Sequence, residues 1–317
     1  MLYVVLAIAG ATASGVGAER RYGARASGAA RHILRTMLYV LLPPVIFLNL
    51  VHLRLTADAG AGIGLAIVAL ALTGALAYVV SRRGLGLSRA TTGSVVNASI
   101  HGNTGYLGFP VVAALLGPEH LGQAILYDTL VQGPVFFLGC FGVASALGTN
   151  AGESVGARAR AFLTRNPPLY AVLAGLVAPA ALAPDALVDA SRVLVYALLP
   201  LGFLAIGMTL ADERRTADAG GEPFTRAAGL AVAMRLVVAP LVLLAVAAPF
   251  IDVPAAYVLL AATPVGLSSV VLAHEFGLHL RLSAVAIACT TAVALPVAVG
   301  ATLVWCARSS SASAAPR

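Results

Sequence analysis

The chain contains no lysine, and it is poor in charge of either sign. Its 317 residues include 20 basic residues, all of them Arg, and 13 acidic ones, so charged residues make up 10% of the sequence. Soluble domains carry roughly 25% charged residues. Hydrophobic residues make up 60%, and the mean hydropathy is +0.93. This composition excludes a soluble globular protein and indicates an all-α polytopic membrane protein with no sizeable soluble domain.

Cysteine is also scarce. Cys140, Cys289 and Cys306 all fall within apolar segments, so we expect buried thiols rather than a disulfide framework. The N-terminus lacks the basic region of a signal peptide, and the first apolar segment is therefore expected to be retained.

Long apolar stretches recur along the whole chain. About 20 apolar residues in a helix cross roughly 30 Å of hydrocarbon. The pattern predicts ten membrane spans, at approximately residues 1–17, 34–53, 59–81, 92–116, 120–147, 167–183, 187–210, 225–250, 253–274 and 282–307.

The arginines predict the orientation of these spans. Of the 20, 15 lie on odd-numbered connections, whereas Arg54, Arg192, Arg308 and Arg317 lie on the other side. Positive charge marks the cytoplasmic face, so both termini are predicted to lie outside the plasma membrane. The membrane topology thereby explains the net positive charge, and binding to nucleic acid is not needed to account for it. The 15 are Arg20, Arg21, Arg25, Arg31, Arg35, Arg82, Arg83, Arg89, Arg158, Arg160, Arg165, Arg214, Arg215, Arg226 and Arg281.

The longest polar gap, GTNAGESVGARARAFLTRNPP, divides the spans into two sets of five. An odd number of spans per half gives the halves opposite orientations, which is the layout of inverted repeats in secondary transporters. Local sequence similarities between the two halves agree with a repeat: LLPPVIFL resembles LLPLGFLA, and GYLGFPVVAALL resembles GLSSVVLAHEF. The predicted organisation is a first repeat at 1–147, a cytoplasmic linker at 148–166, a second repeat at 167–308 and an external tail at 309–317.

Two spans carry helix-breaking residues at their centres. The fourth contains Gly102-Asn103-Thr104-Gly105, and the ninth contains Thr263-Pro264-Val265-Gly266. Proline and glycine interrupt helices, and irregular backbone at membrane depth persists only where protein or a water-filled cavity satisfies it. Matching breaks in two halves predict a binding site at the membrane midplane, with half-helix N-termini suited to an anion. The alternative is a pair of kinks that only assist packing.

A polar stripe favours the binding site over simple kinks. Ser94, Asn97 and His101 follow one another at i, i+3 and i+7, so they share one face of a helix. Such a face is not expected to meet lipid.

Three segments resemble the auxin efflux carrier family, which includes plant PIN proteins and bacterial malate or malonate permease-like transporters. They are GNTGYLGFP, LPLGFLAIGMTL and ATPVGLSSVVLAHEFG, and the resemblance covers essentially the whole chain. It implies a five-plus-five inverted repeat whose fourth and ninth helices cross at prolines. It also implies a dimerising scaffold of helices one, two, six and seven, and a transport part that moves like an elevator.

By this resemblance, Asn103 and Pro110 match the residues of the first crossover and Pro264 matches the second. The chain lacks the long central loop of plant members and has His101 where a hydrophobic or small residue is often found, so plant-like auxin specificity is not implied. The predicted substrate-binding residues are Asn97, His101, Asn103, Thr104, Gly105, Pro110, Arg235, Thr263, Pro264, Gly266 and Ser268.

Two ionisable residues lie well inside predicted spans. Asp128 is in the fifth span and Arg235 in the eighth. Because intramembrane charges are costly unless paired or wetted, a functional role is the default. Arg235 could hold a substrate carboxylate and Asp128 could carry a coupling proton. Alternatively, the two pair with each other and stabilise the transport part.

Other motifs carry no chemistry. His274 and His279 are five residues apart and diverge on a helix, whereas the zinc motif needs i, i+4, so His274 and Glu275 are interpreted as a charged helix end. No metal site is predicted. Gly62-x-Gly64 lacks the strand and helix of a nucleotide fingerprint, and no cofactor is predicted.

The sequence therefore predicts a secondary transporter of small organic anions, acting as a homodimer in the lipid bilayer. Its coupling to H⁺ or Na⁺, its substrate and its direction stay open. The alternatives are a cation/proton antiporter, which would normally want paired carboxylates, and a sodium-coupled organic anion symporter of the bile-acid-transporter-like type. An intramembrane enzyme using Ser99 and His101, or a receptor, are candidates from other classes.

Overall fold

The computed structural model describes residues 2–53, 57–149, 156, 160, 163–164, 167–217 and 225–313. Regular structure in this part of the chain is helical, apart from one isolated antiparallel bridge between Gly102 and Val265. The α-helices that concern us are α1 (Leu2–Tyr22), α2 (Ala24–Thr36), α3 (Leu42–Val51), α4 (Ala57–Val79), α5 (Arg89–Ile100), α6 (Phe109–Leu115), α7 (Leu121–Tyr127), α8 (Phe141–Leu147), α9 (Pro167–Val177), α10 (Asp185–Ala217), α11 (Arg226–Ala233), α12 (Ala239–Ala247), α13 (Ala255–Ala261), α14 (Ser268–Phe276) and α15 (Leu280–Ser313).

Short π-helical segments join many of these helices without a break in direction. They lie at Met37–Leu41, Val80–Gly84, Thr104–Gly108, Asp128–Gln132, Val135–Cys140 and Met234–Val238, and two 3₁₀ turns lie at Pro118–His120 and Ala180–Leu182. Segments of this kind occur frequently at functional sites. Four of these six π-helical segments, those that begin at Met37, Thr104, Asp128 and Val135, contribute residues to the wall of the cavity described below.

Within the described residues, four helical stretches are long and apolar enough to cross a membrane, namely Ala24–Val51, Gly60–Gly84, Pro118–Leu147 and Arg226–Ala247. Shorter apolar helices run over Thr104–Leu115, Pro167–Val177, Pro200–Thr209 and Leu280–Ala294. Large apolar side chains on the outside, such as Val177 and Val193, are exposed. The fold is thus that of a helical protein suited to repeated membrane crossing. The count of ten spans stays a prediction, and most of the predicted linker lies outside the described residues.

The first two helices extend beyond the first two predicted spans. Helix α1 continues to Tyr22, beyond the expected end near 17, and α2 starts at Ala24, ten residues before the expected start at 34. Only Gly23 separates them, with a positive φ of 51°, which glycine adopts without strain. The Arg-rich first connection is therefore a helical hairpin rather than a loop.

The helices pack as two groups. In the first, α1 lies along α10, α10 contacts α2, and α9 packs against α3. In the second, α4 packs against α5 and α12, while α5 also contacts α8, α11 and α15. Contacts of α10 with α6 and α15 join the groups. The first group contains the helices that the family resemblance assigns to a scaffold, and that assignment stays a prediction.

Helix α1 and helix α10 approach so closely that only glycine fits at their contact. A Cβ atom on Gly15 would lie 2.2 Å from the carbonyl oxygen of Leu204, and one on Gly207 would lie 2.3 Å from that of Thr12. Small residues permit this kind of backbone approach between membrane helices. The contact fixes the core of the first group.

Replacing Gly15 by Val tests this contact. We expect the variant to lose about 1–3 kcal/mol of stability because the added atoms overpack the helix interface. Gly17→Val is the matched control, since Gly17 lies in the same helix with nothing within 4 Å of its Cβ position. Thermal unfolding in detergent measures both variants, and equal transition temperatures would contradict the packing described here.

Candidate functional site

The two predicted breaks lie against each other. Helix α5 ends at Ile100 and His101 is extended, while α13 ends at Ala261 and α14 begins at Ser268. The Asn103 N–H donates to the carbonyl of Pro264 over 2.8 Å, and the Gly266 N–H donates to the carbonyl of His101 over 3.0 Å. Each broken segment thus satisfies backbone groups of the other, in a short antiparallel crossing.

Side chains from neighbouring helices satisfy further backbone groups at the breaks. Gln132 accepts from the Gly102 N–H at 3.2 Å and donates to the Ile100 carbonyl at 3.3 Å. Thr290 accepts from the Val265 N–H at 3.1 Å. Neither residue was among the predicted site residues. The signal that could have found them is a lone polar side chain in an apolar span, four residues after Asp128 for Gln132.

Arg235 binds the end of α13. Its guanidinium is fully buried and donates from Nε to the Thr263 carbonyl at 2.7 Å and from Nη2 to the Leu260 carbonyl at 3.2 Å. Nη2 also donates to the Thr263 hydroxyl at 3.0 Å. Carbonyls at a helix C-terminus carry partial negative charge and favour a cation. Arg235 therefore holds the second break in place.

The possibility that Asp128 and Arg235 pair with each other is wrong. Asp128 accepts a short hydrogen bond from the Thr104 hydroxyl, and Arg235 donates to the α13 end as just described. Arg235 lies on the other side of Gly102, where a Cβ would be 1.9 Å from its Nη2. The backbone of the first break thus separates the two charges.

A cavity of about 230 Å³ lies beside the crossing. Seven of the predicted residues line it, namely His101, Asn103, Thr104, Gly105, Asp128, Gly266 and Ser268. Aromatic side chains that the prediction did not include form much of the remaining wall: Tyr39, Tyr106, Phe109, Phe136 and Phe137. The His101 ring stacks on Phe136 with ring centroids 4.6 Å apart. The cavity combines a polar crossing with an apolar, aromatic wall.

Five predicted substrate contacts do not line this cavity. Thr263, Pro264 and Arg235 lie within the crossing itself and hold its backbone. Pro110 is buried at the start of α6, directly after the π-helical segment Thr104–Gly108. Asn97 is buried inside the helix packing, and neither its amide oxygen nor its nitrogen has a hydrogen-bond partner. Helix periodicity gives the face of a residue but not which neighbour covers it.

Asn103 presents its amide to the cavity. The residue is 5% exposed and precedes the helical segment that starts at Thr104. The Asn103 side chain does not cap that segment, and no hydrogen bond joins its amide to another residue in the described part of the protein. It remains available to a bound molecule, together with the N-terminal ends of Thr104–Leu115 and α14, which carry partial positive charge.

The structure also bears on two predictions outside the crossing, the charged helix end at His274 and Glu275 and the buried cysteine thiols. His274 and Glu275 are exposed at the C-terminal end of α14, 3.7 Å apart, as expected for a charged helix end. Cys140 is a buried free thiol and Cys289 is partly buried, also as expected, whereas the Cys306 side chain lies outside the described residues.

Replacing Gly102 by Ala tests the packing of Arg235 at the crossing. The new methyl group would overlap the guanidinium, so Arg235 must shift away from the α13 carbonyls, and we expect a loss of several kcal/mol of stability. Gly105→Ala is the control, because its Cβ would meet the Asp128 carboxylate at 3.7 Å, an ordinary contact distance. Thermal unfolding of both variants in detergent measures the loss. A Gly102→Ala protein as stable as the control would contradict the close packing of Arg235 against Gly102.

Comparison with known proteins agrees with this architecture. The chain matches the membrane transport protein family over residues 2–302. It is also similar to an uncharacterized transporter of Methanothermobacter thermautotrophicus, with 34% identity over 143 residues. That alignment covers 44% of this chain and 44% of the relative, so the chain spans less than half of the relative's length in the match. From the family match over nearly its whole length, we conclude that this protein belongs to the auxin efflux carrier family of membrane transport proteins.

Proposed function

We propose that the protein is a secondary transporter of small organic anions, and that the anion binds at the crossing of the two broken helices. The observation that carries the proposal is the position of the cavity. It adjoins two helix starts, at Thr104 and Ser268, and the open amide of Asn103. Broken helices that meet in this way form the substrate sites of many secondary transporters.

The groups at the crossing favour an anion of modest size. Helix N-termini attract negative charge, and the Asn103 amide can donate to a carboxylate. Arg235 adds a full positive charge directly behind Gly102. The cavity, at about 230 Å³, is below the usual range of drug-sized pockets, about 300–1,000 Å³. A substrate with few heavy atoms therefore fits it best.

Among the described residues that line the cavity, Asp128 is the only Asp, Glu or Arg. While it is ionised, its carboxylate repels an anionic substrate. Two like charges about 4 Å apart repel by about 4 kcal/mol at an effective dielectric constant near 20. A proton on Asp128 removes this repulsion. We therefore include proton coupling in the proposal, with the proton carried by Asp128 and its carboxyl oriented by Thr104.

The proposal extends to the whole architecture. Ten spans in a five-plus-five inverted repeat, both termini outside the plasma membrane, a homodimer and elevator-type movement all follow from the family resemblance and the arginine distribution. The packing of α1, α2, α3, α9 and α10 into one group supports a fixed scaffold. The linker 148–166 would join the two repeats on the cytoplasmic side.

A cation/proton antiporter is the second candidate, because the cavity contains an ionisable carboxylate, Asp128, which can bind a cation or a proton. The intramembrane enzyme receives no such support. Ser99 is buried and donates its hydroxyl to the Val95 carbonyl at 2.7 Å, so it does not form a nucleophile–base pair with His101. A bile-acid-transporter-like sodium symporter is distinguished by its dependence on Na⁺.

Counterflow in proteoliposomes tests the function. Vesicles loaded with an unlabelled mono- or dicarboxylate are diluted into the labelled acid, with labelled cations tested in parallel and with Na⁺ replaced by choline. We expect saturable exchange of at least one carboxylate that persists without Na⁺. Exchange of cations alone would establish the second candidate instead.

Asn103→Ala should weaken anion binding about tenfold to a hundredfold. Loss of one hydrogen bond to a charged group costs about 1.5–3 kcal/mol, and each 1.4 kcal/mol is about a factor of ten. Asn97→Ala is the matched control, because that amide is buried and lies outside the cavity. Equilibrium binding of an exchanged anion to the purified variants measures the effect, and an Asn103→Ala affinity within twofold of the parent would remove Asn103 from the site.

Asp128→Asn should separate substrate exchange from the pH gradient. If Asp128 carries the coupling proton, the variant still exchanges anion but no longer accumulates it when the vesicle lumen is made alkaline or acidic. Asp185→Asn, at an exposed position outside the cavity, serves as control. Accumulation by Asp128→Asn that follows the pH gradient as in the parent would assign Asp128 a structural role beside Thr104.

A further inference from the structure

A second and larger cavity, of about 510 Å³, adjoins the first. The two share Tyr106, Leu267 and Ser268 in their walls. The second extends away from the crossing between α2, α10, α14 and α15. Tyr106 stands between the two spaces, and its hydroxyl donates to the Leu34 carbonyl at 3.4 Å. We refer to the second cavity as the antechamber.

Among the described residues that line the antechamber, positive charges outnumber negative ones. Arg31 comes from α2 and Arg281 from α15, whereas Asp212 of α10 is the one acidic residue among them. The described residues that line the first cavity include Asp128 and no Arg. The two adjoining spaces thus differ in the sign of their charge.

Ser27 supplies a second, independent sign of a ligand. It is 6% exposed and lines the antechamber, and its hydroxyl has no hydrogen-bond partner. Buried hydroxyls are nearly always satisfied, because leaving one unpaired costs free energy. Ser27 precedes Arg31 by one helical turn, so both side chains lie on the same side of α2. A bound carboxylate could accept from both.

We propose that the antechamber is an anion-binding site, in which Arg31, Arg281 and Ser27 hold the carboxylate of the substrate before it reaches the crossing or after it leaves. Arg31 and Arg281 both lie on predicted odd-numbered connections, which together carry 15 of the 20 Arg, so the site lies on the predicted cytoplasmic side. The part of this proposal that identifies the bound anion as the transported substrate rests on the function proposed above. The site itself rests on the cavity and its wall.

The charge of the antechamber can be measured without knowing the substrate. Cys140, Cys289 and Cys306 are replaced by Ala, and Ser27→Cys places one thiol in the wall. The thiol is reacted in detergent with three methanethiosulfonates of similar size, carrying a sulfonate, a trimethylammonium or no charge. The neutral reagent measures access, and the ratio of the sulfonate rate to the trimethylammonium rate measures the local potential. Free 2-mercaptoethanol in the same buffer is the reference.

We expect the ratio for Ser27→Cys to exceed that of 2-mercaptoethanol, and added malonate to slow the sulfonate reaction. Arg31→Gln, and separately Arg281→Gln, should lower the ratio by about fivefold, because each removes one unit charge near the thiol. Thr209→Cys, in the same wall, repeats the measurement if Ser27→Cys does not fold. A ratio equal to the reference, or one that neither Arg substitution changes, overturns the proposal.

The outcome is separable from that of the proposed function. Asn103→Ala should reduce counterflow and leave the labelling ratio unchanged, because Asn103 lines only the first cavity. Arg31→Gln should raise the KM for counterflow. A protein that exchanges no carboxylate but keeps a high, Arg31-dependent ratio would refute the transport proposal and retain the anion site.

Discussion

The rest of the structure depends on two backbone hydrogen bonds between broken helices, from Asn103 to Pro264 and from Gly266 to His101. In hydrocarbon each unsatisfied backbone group costs several kcal/mol, so a helix can open at membrane depth only where another chain segment replaces the lost partners. Here each break is the partner of the other. Side chains of neighbouring helices add further hydrogen bonds to the backbone at the breaks, from Gln132, Thr290 and Arg235.

This arrangement determines where charge can reside. Arg235 is needed at the carbonyl end of α13 and is enclosed by protein, so it acts on the cavity from behind Gly102 rather than by contact. Asp128 lies on the open side with Thr104. A positive field behind the crossing and a protonatable carboxyl in front of it suit a substrate that binds as an anion together with a proton. The adjoining antechamber, with its two Arg residues, would supply that anion.

The sequence allowed the membrane class, the positions of both breaks and most of the polar wall to be predicted, because proline, paired glycines and polar residues are conspicuous in apolar spans. The aromatic wall could not be predicted, since Phe136 or Tyr39 in an apolar span resembles any lipid-facing residue. The sequence identified Arg235 as an important buried charge, but not its role in holding the end of α13. A buried cation can hold a ligand or a helix end, and only the position of Thr263 distinguishes the two. Asn97 shares a helix face with His101, yet it is buried in the helix packing and does not line the cavity.

The most direct measurement is the position of a bound substrate in the three-dimensional structure. A transported carboxylate that carries bromine can be located by its anomalous scattering in crystals of the intact protein. We expect a bromine peak in the cavity beside Asn103, Thr104 and Ser268, with the carboxylate toward the two helix starts. A peak found only on the outer, lipid-facing surface of the helices, with the cavity at the crossing empty, would contradict substrate binding at the crossing.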